Sequence, residues 1–230
     1  MQVIQFFIPN SFRNFNYIVY DEKSRQGYSI DPFDKDLVIK HAKKHDVKLI
    51  GILNTHYHYD HVMNNKELAA ELNIPIHVND VENFPLGESY LEVIQTPGHT
   101  NNHVVFLAAH EGKQQFVIAG DTLFNAGVGN CKNGGDPETL FETTIKLNKL
   151  LDDDTVLYPG HDYMLTNLNF SKSIDANNKD VNDLLAKRAA MDLDHDFINT
   201  TMREERRINQ FLMVDNIEAF LRLRLKRDNW

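Results

Sequence analysis

The sequence holds a single cysteine, Cys131, among 230 residues. That excludes an internal disulfide and suits a reducing compartment. No run approaches the ~18 apolar residues that a membrane-crossing helix needs. The opening stretch, MQVIQFFIPNSFRNFN, has neither a basic leader segment nor a long apolar core, so a cytoplasmic location is expected, away from any membrane. Positive charge is also scarce: 24 Lys and Arg stand against 33 Asp and Glu, a net charge of −9. Broad nucleic-acid binding, which requires clustered cations, is therefore not expected. There is no internal repeat and no low-complexity tract. Hydrophobic residues at 42% and charged residues at 25% describe an ordinary globular chain, large enough to bury a core without staples.

Against this plain background, residues 55–61 read THYHYDH, placing three of the 11 histidines within seven residues. The patterning around them alternates strands and helices. Strands are expected at 3–8, 15–22, 27–32, 48–55, 76–79, 90–96, 103–109, 115–120 and 155–160, with helices at 35–45, 66–73 and 137–151. Pro137 sits in the first turn of the last of these. Beyond residue 162 no strand pattern recurs, and 181–193 and 216–228 read as helices. The chain divides into a sheet-bearing part, 1–165, and a helical part, 166–230.

Four apolar strands each end in a group that can bind a metal: LNTH leads into THYHYDH, VIQTPGH ends at His99, VIAGD at Asp121 and VLYPGH at His161. In extended backbone residues i and i+2 face the same way, so His56 and His58 can grip one ion together. His99 completes three imidazoles. Asp60, His61 and His161 form a second group, and the two oxygens of Asp121 can bridge both. Nitrogen and oxygen donors without thiolate suit Zn²⁺, with iron or manganese as alternatives. Paired ions of this kind activate water at neutral pH. By contrast, His41, His45, His110 and His195 read as structural or exposed, and His77 and His103 as either core residues or supports for the ligands.

The motifs THYHYDH, TPGHT, GDTLF and YPGHDY, in this order, resemble those of the metallo-β-lactamase superfamily over residues 1 to about 165. The resemblance implies an α/β fold, a four-layer αββα sandwich with a helical C-terminal subdomain. It also implies a binuclear centre with His56, His58 and His99 on one ion, Asp60, His61 and His161 on the other, and Asp121 between. Superfamily members catalyse different reactions, so substrate must be read elsewhere. GDTLFNAGVG, YPGHDYMLTNLNF, EERRINQFLMVD and the closing FLRLRLKRDNW are similar to the hydroxyacylglutathione hydrolases, or glyoxalase II. Gln210 replaces a proline of that pattern, and the last motif is one residue looser before its arginine. The resemblance implies hydrolysis of a glutathione thioester, typically S-D-lactoylglutathione, as part of methylglyoxal detoxification, and a monomer is expected. Asp60 and Asp121 are the expected catalytic carboxylates, and Tyr163, Asn130, Lys132, Arg224 and Arg227 the expected substrate contacts. Where the family carries a basic residue and then an aromatic after the loop glycine, this chain has Asn130 and Lys132. Asn64 and Asn102 likewise replace small residues.

Helical periodicity supports the cationic part independently. On a helix over 217–228, Arg224 and Arg227 continue the inward stripe of Ile217, Phe220 and Leu221, while Arg222 and Lys226 point away. Inward guanidinium groups require anions, either a ligand carboxylate or acids of the chain. The competing functional expectations are a glutathione persulfide dioxygenase with mononuclear iron, a phosphodiesterase or nuclease, and a metal-binding protein without activity.

Overall fold

The computed structural model describes residues 1–230. Its strands are β1 (Gln2–Phe7), β2 (Phe15–Tyr20), β3 (Gln26–Ile30), β4 (Lys48–Leu53), β5 (Asn83–Leu86), β6 (Ser89–Gln95), β7 (Val104–His110), β8 (Lys113–Gly120), β9 (Leu123–Phe124), β10 (Gly127–Val128) and β11 (Val156–Pro159). Its helices are α1 (Lys35–Lys44), α2 (Tyr59–Val62), α3 (Asn65–Leu72), α4 (Pro137–Leu150), α5 (Met164–Ile174), α6 (Lys179–Ala189), α7 (Met202–Ile208) and α8 (Ile217–Asp228). One sheet has the order β1-β2-β3-β4 and the other β11-β8-β7-β6-β5, with β9 and β10 forming a short ribbon.

Strand alternation builds the layers. Phe15, Tyr17 and Val19 of β2 face Val104, Phe106 and Ala108 of β7 in the core between the sheets. The intervening Ile18 and Tyr20 turn outward to meet Val38 and Ala42 of α1 and Leu68 of α3. On the far side, Val105 and Leu107 of β7 pack with Leu140 and Leu147 of α4 and Phe220 of α8. The result is the expected helix–sheet–sheet–helix sandwich. A smaller core of Ala126, Met164, Leu168, Val181 and Ile208 joins the helical part to the β9–β10 ribbon.

The structure departs from expectation in several elements. Residues 76–79 do not form a strand. Ile76 makes one bridge to Ile52, and its neighbours leave the edge of β4, with Ile76 and Val78 exposed. A strand instead forms at Asn83–Leu86, where Pro85 is tolerated because β5 is an outer strand. Helices α5 and α7 were not expected from the patterning.

Topology places the chemistry. β6 and β8 both run antiparallel to β7, and β11 runs parallel to β8. The C-terminal ends of β6, β8 and β11 therefore share one sheet edge. The end of β4 is tied to the same edge, because Val104 N donates to Thr55 O at 2.8 Å. These four ends lead to His99, Asp121, His161 and His56.

Candidate metal centre

The two expected halves of the centre form as adjoining clusters, and His56, His61 and Asp121 group across them. His56 Nε2 lies 3.1 Å from His58 Nδ1, which lies 3.0 Å from His99 Nε2. His61 Nε2 lies 3.2 Å from His161 Nε2, and Asp60 Oδ2 lies 3.6 and 3.5 Å from these two nitrogens. Asp121 stands between: Oδ1 is 3.5 Å from His61 Nε2, and Oδ2 is 3.5 Å from His99 Nε2 and 3.2 Å from His161 Nε2. THYHYDH splits as its alternation implies. His56 and His61 are buried, while Tyr57 and Tyr59 face solvent.

Hydrogen bonds assign every imidazole a tautomer. His61 Nδ1 donates to Asp31 Oδ2 at 2.9 Å, His161 Nδ1 to Phe12 O at 2.8 Å and His99 Nδ1 to Asn130 O at 2.6 Å. His58 Nε2 donates to Asn133 O at 3.0 Å. Thr55 Oγ1 donates to Asp31 Oδ2 at 2.6 Å, so it accepts from His56 Nδ1 at 3.1 Å. The opposite nitrogens are thereby left as lone pairs, and these converge on one another. Facing lone pairs at 3.0–3.2 Å repel unless a cation lies among them. The spacing matches the edge of about 3.3 Å that four donors at zinc distance from one ion make. Asp121 Oδ1, buried, has no hydrogen-bond partner. The residues fit two metal ions.

Electrostatics agree. Burial opposes charge on His61, but Asp121, Asp31 and Asp60 outweigh it and push its pKa up to about 9. Burial likewise opposes the charge of Asp121, and His161 and His61 outweigh it, holding this carboxylate well below its usual range. His56, with no such carboxylate dominance, is driven well below the ordinary histidine range by burial and by His61. The carboxylates favour a positive charge beside His61, which a bound cation supplies in place of the proton, while burial keeps His56 and His99 neutral and available as donors. Close backbone approach is also required: a Cβ on Gly160 would stand 2.3 Å from Asp121 Oδ1.

Several supporting residues carry no signal in the sequence. Asp31 lies at the end of β3 in left-handed backbone, φ 52°, where the sequence reads as an ordinary turn. Asn14 Nδ2 donates to Asp60 Oδ2 at 3.0 Å. His103, whose role the sequence left open, accepts the N–H of Asp121 at 3.0 Å and stacks on His56. Its helpfulness was half-visible, as a histidine following a strand-like run.

All five residues expected to contact substrate line one cavity of about 200 Å³, next to the second cluster. Tyr163 stacks on His161 with ring centroids 4.8 Å apart and planes 2° from parallel. Arg224 is buried and held within the chain: Nη1 donates to Val128 O and Gly129 O, and Nη2 pairs with Asp228 at 2.9 Å. Arg227 donates to the neutral amide of Asn167 at 3.2 Å, and Lys132 Nζ to the backbone O of Asp228 at 3.2 Å. Neither Arg227 nor Lys132 stands in an ion pair. Cys131, in the same loop, has its thiol pushed up to about 11 by burial, which makes it a poor nucleophile. The EERRINQFL stretch supports this wall from behind. Glu205 accepts from Ala126 N, and Asn209 donates to Gly127 O.

The family described as "Hydroxyacylglutathione hydrolase C-terminus" matches residues 162–230, and the metallo-beta-lactamase superfamily matches residues 29–95. The chain is 33% identical to a hydroxyacylglutathione hydrolase of Nitrosococcus oceani, over 97% of this chain and 90% of that one. It is 35% identical to one from Francisella tularensis subsp. novicida, over 96% and 91%. Among solved structures, ETHE1 from Myxococcus xanthus superposes with a TM-score of 0.75 at 22% identity, covering 98% of this chain and 90% of that one, a likeness of fold.

Proposed function

Because the chain belongs to the hydroxyacylglutathione hydrolase family, a family of thioester hydrolases, we propose that it cleaves S-(2-hydroxyacyl)glutathione, S-D-lactoylglutathione in the first instance. The products are a 2-hydroxy acid and glutathione, and the metals are two divalent ions, zinc in preference to iron or manganese. The observation that carries the substrate assignment is the pair of cations without carboxylate partners, Arg227 and Lys132, in a cavity that Tyr163 joins to the metal centre. An anionic tripeptide tail supplies the missing charge, and a guanidinium fork matches a carboxylate.

When bound, the ions supply Lewis acidity and lower the pKa of water so that hydroxide is available at neutral pH. The chain holds seven donors in place before substrate arrives. Asp121 ties the two halves together. Asp60, steadied at Oδ2 by Asn14, accepts a hydrogen bond from the attacking oxygen and orients it. The cavity residues fix the thiol end of the substrate, so that the acyl carbon rests at the centre and not beyond it. Thiolate is a good leaving group, and no strong acid is required of the protein. A cytoplasmic role in methylglyoxal detoxification accords with this reading.

The test compares one acyl group on glutathione and on other thiols, together with metal analysis. Marked preference for the glutathione thioester is expected, with two ions per chain. Equal rates on all thiols would refute the tripeptide site. Oxygen uptake with glutathione persulfide, in place of thioester turnover, would favour a mononuclear iron dioxygenase, a reaction that leaves the complete set of Asp60, His61 and His161 unexplained.

A further inference from the structure

The connection between β1 and β2, residues 8–14, supplies no metal ligand, yet it touches one half of the centre only. Phe12 O takes the Nδ1 proton of His161 at 2.8 Å. Asn14 Nδ2 donates to Asp60 Oδ2 at 3.0 Å and to Asp60 O at 3.3 Å. Asn14 is itself buried, and its amide is oriented by Asn10 Nδ2, which donates to Asn14 Oδ1 at 2.8 Å. The backbone runs beside the ligand-bearing end of β11 like a short extra strand: Phe15 N donates to Gly160 O at 2.8 Å, and Asp162 N to Arg13 O at 2.9 Å. Arg13 adopts left-handed backbone, φ 57°, to do so.

The helical part locks this connection from outside. Arg13 Nη2 and Arg188 Nη2 both reach Asp162 Oδ2 at 2.8 Å, and Arg188 is fully buried on α6. By contrast, His56, His58 and His99 take their orienting contacts from Thr55, Asn133 and Asn130. Asp31 supports a histidine in each half, but the contacts of residues 10–14 reach the second half alone.

We propose that residues 10–14 form a strap that sets the affinity of the second ion site alone, with Asn14 the positioning residue and Asn10 the residue that aims its amide. The proposal rests on the binuclear reading of the site but not on the identity of the substrate. Orienting partners of metal ligands commonly change affinity by one to two orders of magnitude, and an asymmetric support must therefore produce an asymmetric loss.

The experiment is a stepwise Zn²⁺ or Co²⁺ titration of the metal-free full chain, for wild type, Asn14→Ala and Asn10→Ala, against a competing chelator. Asn14→Ala is expected to weaken the second ion by about 10- to 100-fold and the first by no more than about 2-fold, with Asn10→Ala showing a smaller loss of the same kind. In Co²⁺ spectra the bands of the first ion stay unchanged. With limiting metal kcat falls, excess metal restores it, and KM does not move. Thermal melting of the metal-free variants checks the fold, and the milder Asn10→Ala keeps the test open if Asn14→Ala unfolds. Equal weakening of both ions, or of neither, in a two-ion wild type would overturn the strap. A wild type that takes up one ion would instead overturn the binuclear reading.

Discussion

Asp31 Oδ2 takes the Nδ1 proton of His61 at 2.9 Å, and the same oxygen accepts the Thr55 hydroxyl that orients His56. One carboxylate outside the ligand set therefore governs a histidine in each half of the centre. Its other oxygen accepts Thr55 N at 2.8 Å and Asn54 Nδ2 at 3.5 Å, so four donors point at the carboxylate from different sides. Asp31→Asn preserves size and suits left-handed backbone, but its amide must turn a donor toward at least one of those donors. We expect the variant to fold and to lose about 10- to 100-fold in metal affinity. Metal content after dialysis against a weak chelator checks this. Full retention of two ions would mean that His61 and His56 hold their tautomers without Asp31.

Arg224 and Arg227, three residues apart on α8, are expected to fail in different ways. Arg224 is spent on Asp228 and two carbonyl oxygens, so Arg224→Ala leaves those groups without a donor in a buried wall. A stability loss of about 2–3 kcal/mol follows, read by urea denaturation. Arg227 donates only to Asn167 and has no carboxylate partner. Arg227→Ala should leave stability nearly unchanged and raise KM for the glutathione thioester by about 10-fold or more, the worth of one charged hydrogen bond, with kcat little altered. The reverse pattern would exchange the roles of the two arginines.

What the sequence made legible follows from the kind of signal each residue gives. The candidate ligands His56, His58, Asp60, His61, His99, Asp121 and His161 are visible because metal binding needs rare residue types at fixed spacing, at the ends of strands that apolar alternation reveals. Asp31 and Asn14 are not, since a lone Asp or Asn beside a strand is also what any turn requires. Helix α5 was hidden by its composition. MLTNLNFSKSI is rich in Asn, Ser and Thr, weak helix formers, and it is held as a helix by burying Met164, Leu168 and Phe170 against the body of the protein. The inward stripe of α8 identified both arginines, but periodicity could not say which anion each would meet. Asp228, four residues after Arg224, supplies one of them.

His103 gives a third test. Its Nε2 accepts the buried N–H of Asp121, and its Nδ1 lies 3.0 and 2.9 Å from the hydroxyls of Thr96 and Thr122. Burial holds its pKa well below the ordinary range, which keeps Nε2 free to accept. His103→Phe fills the space and keeps the ring near His56, but strands the peptide donor of Asp121, a candidate ligand. A loss of about 2 kcal/mol is expected in the metal-free protein, together with weaker metal binding. Unchanged stability would reduce His103 to a packing residue.

Glu205 makes stability depend on pH in a direction opposite to that of most carboxylates. It is fully buried, with Ala126 N at 2.9 Å, Thr200 Oγ1 at 2.5 Å and Asn209 Nδ2 at 3.1 Å as donors. Burial nevertheless wins over these donors and pushes its pKa up to about 7, from an ordinary 4.5. The folded chain therefore binds this proton more tightly than the unfolded chain does. The stability that the proton contributes is complete below the ordinary value and is lost as pH rises through the folded one. The difference of about 2.5 units corresponds to roughly 3 kcal/mol. Glu205→Gln cannot ionise, so the gap in unfolding free energy between wild type and variant should shift by that order between about pH 4 and about pH 8, in the variant's favour at the higher pH. Comparing the two proteins cancels the titration of every other group. Parallel pH profiles for the pair would mean that the three donors fully offset burial, so that Glu205 titrates alike in the folded and unfolded chains, and the wall behind the loop carrying Asn130 would then rest on an ionised clamp at neutral pH.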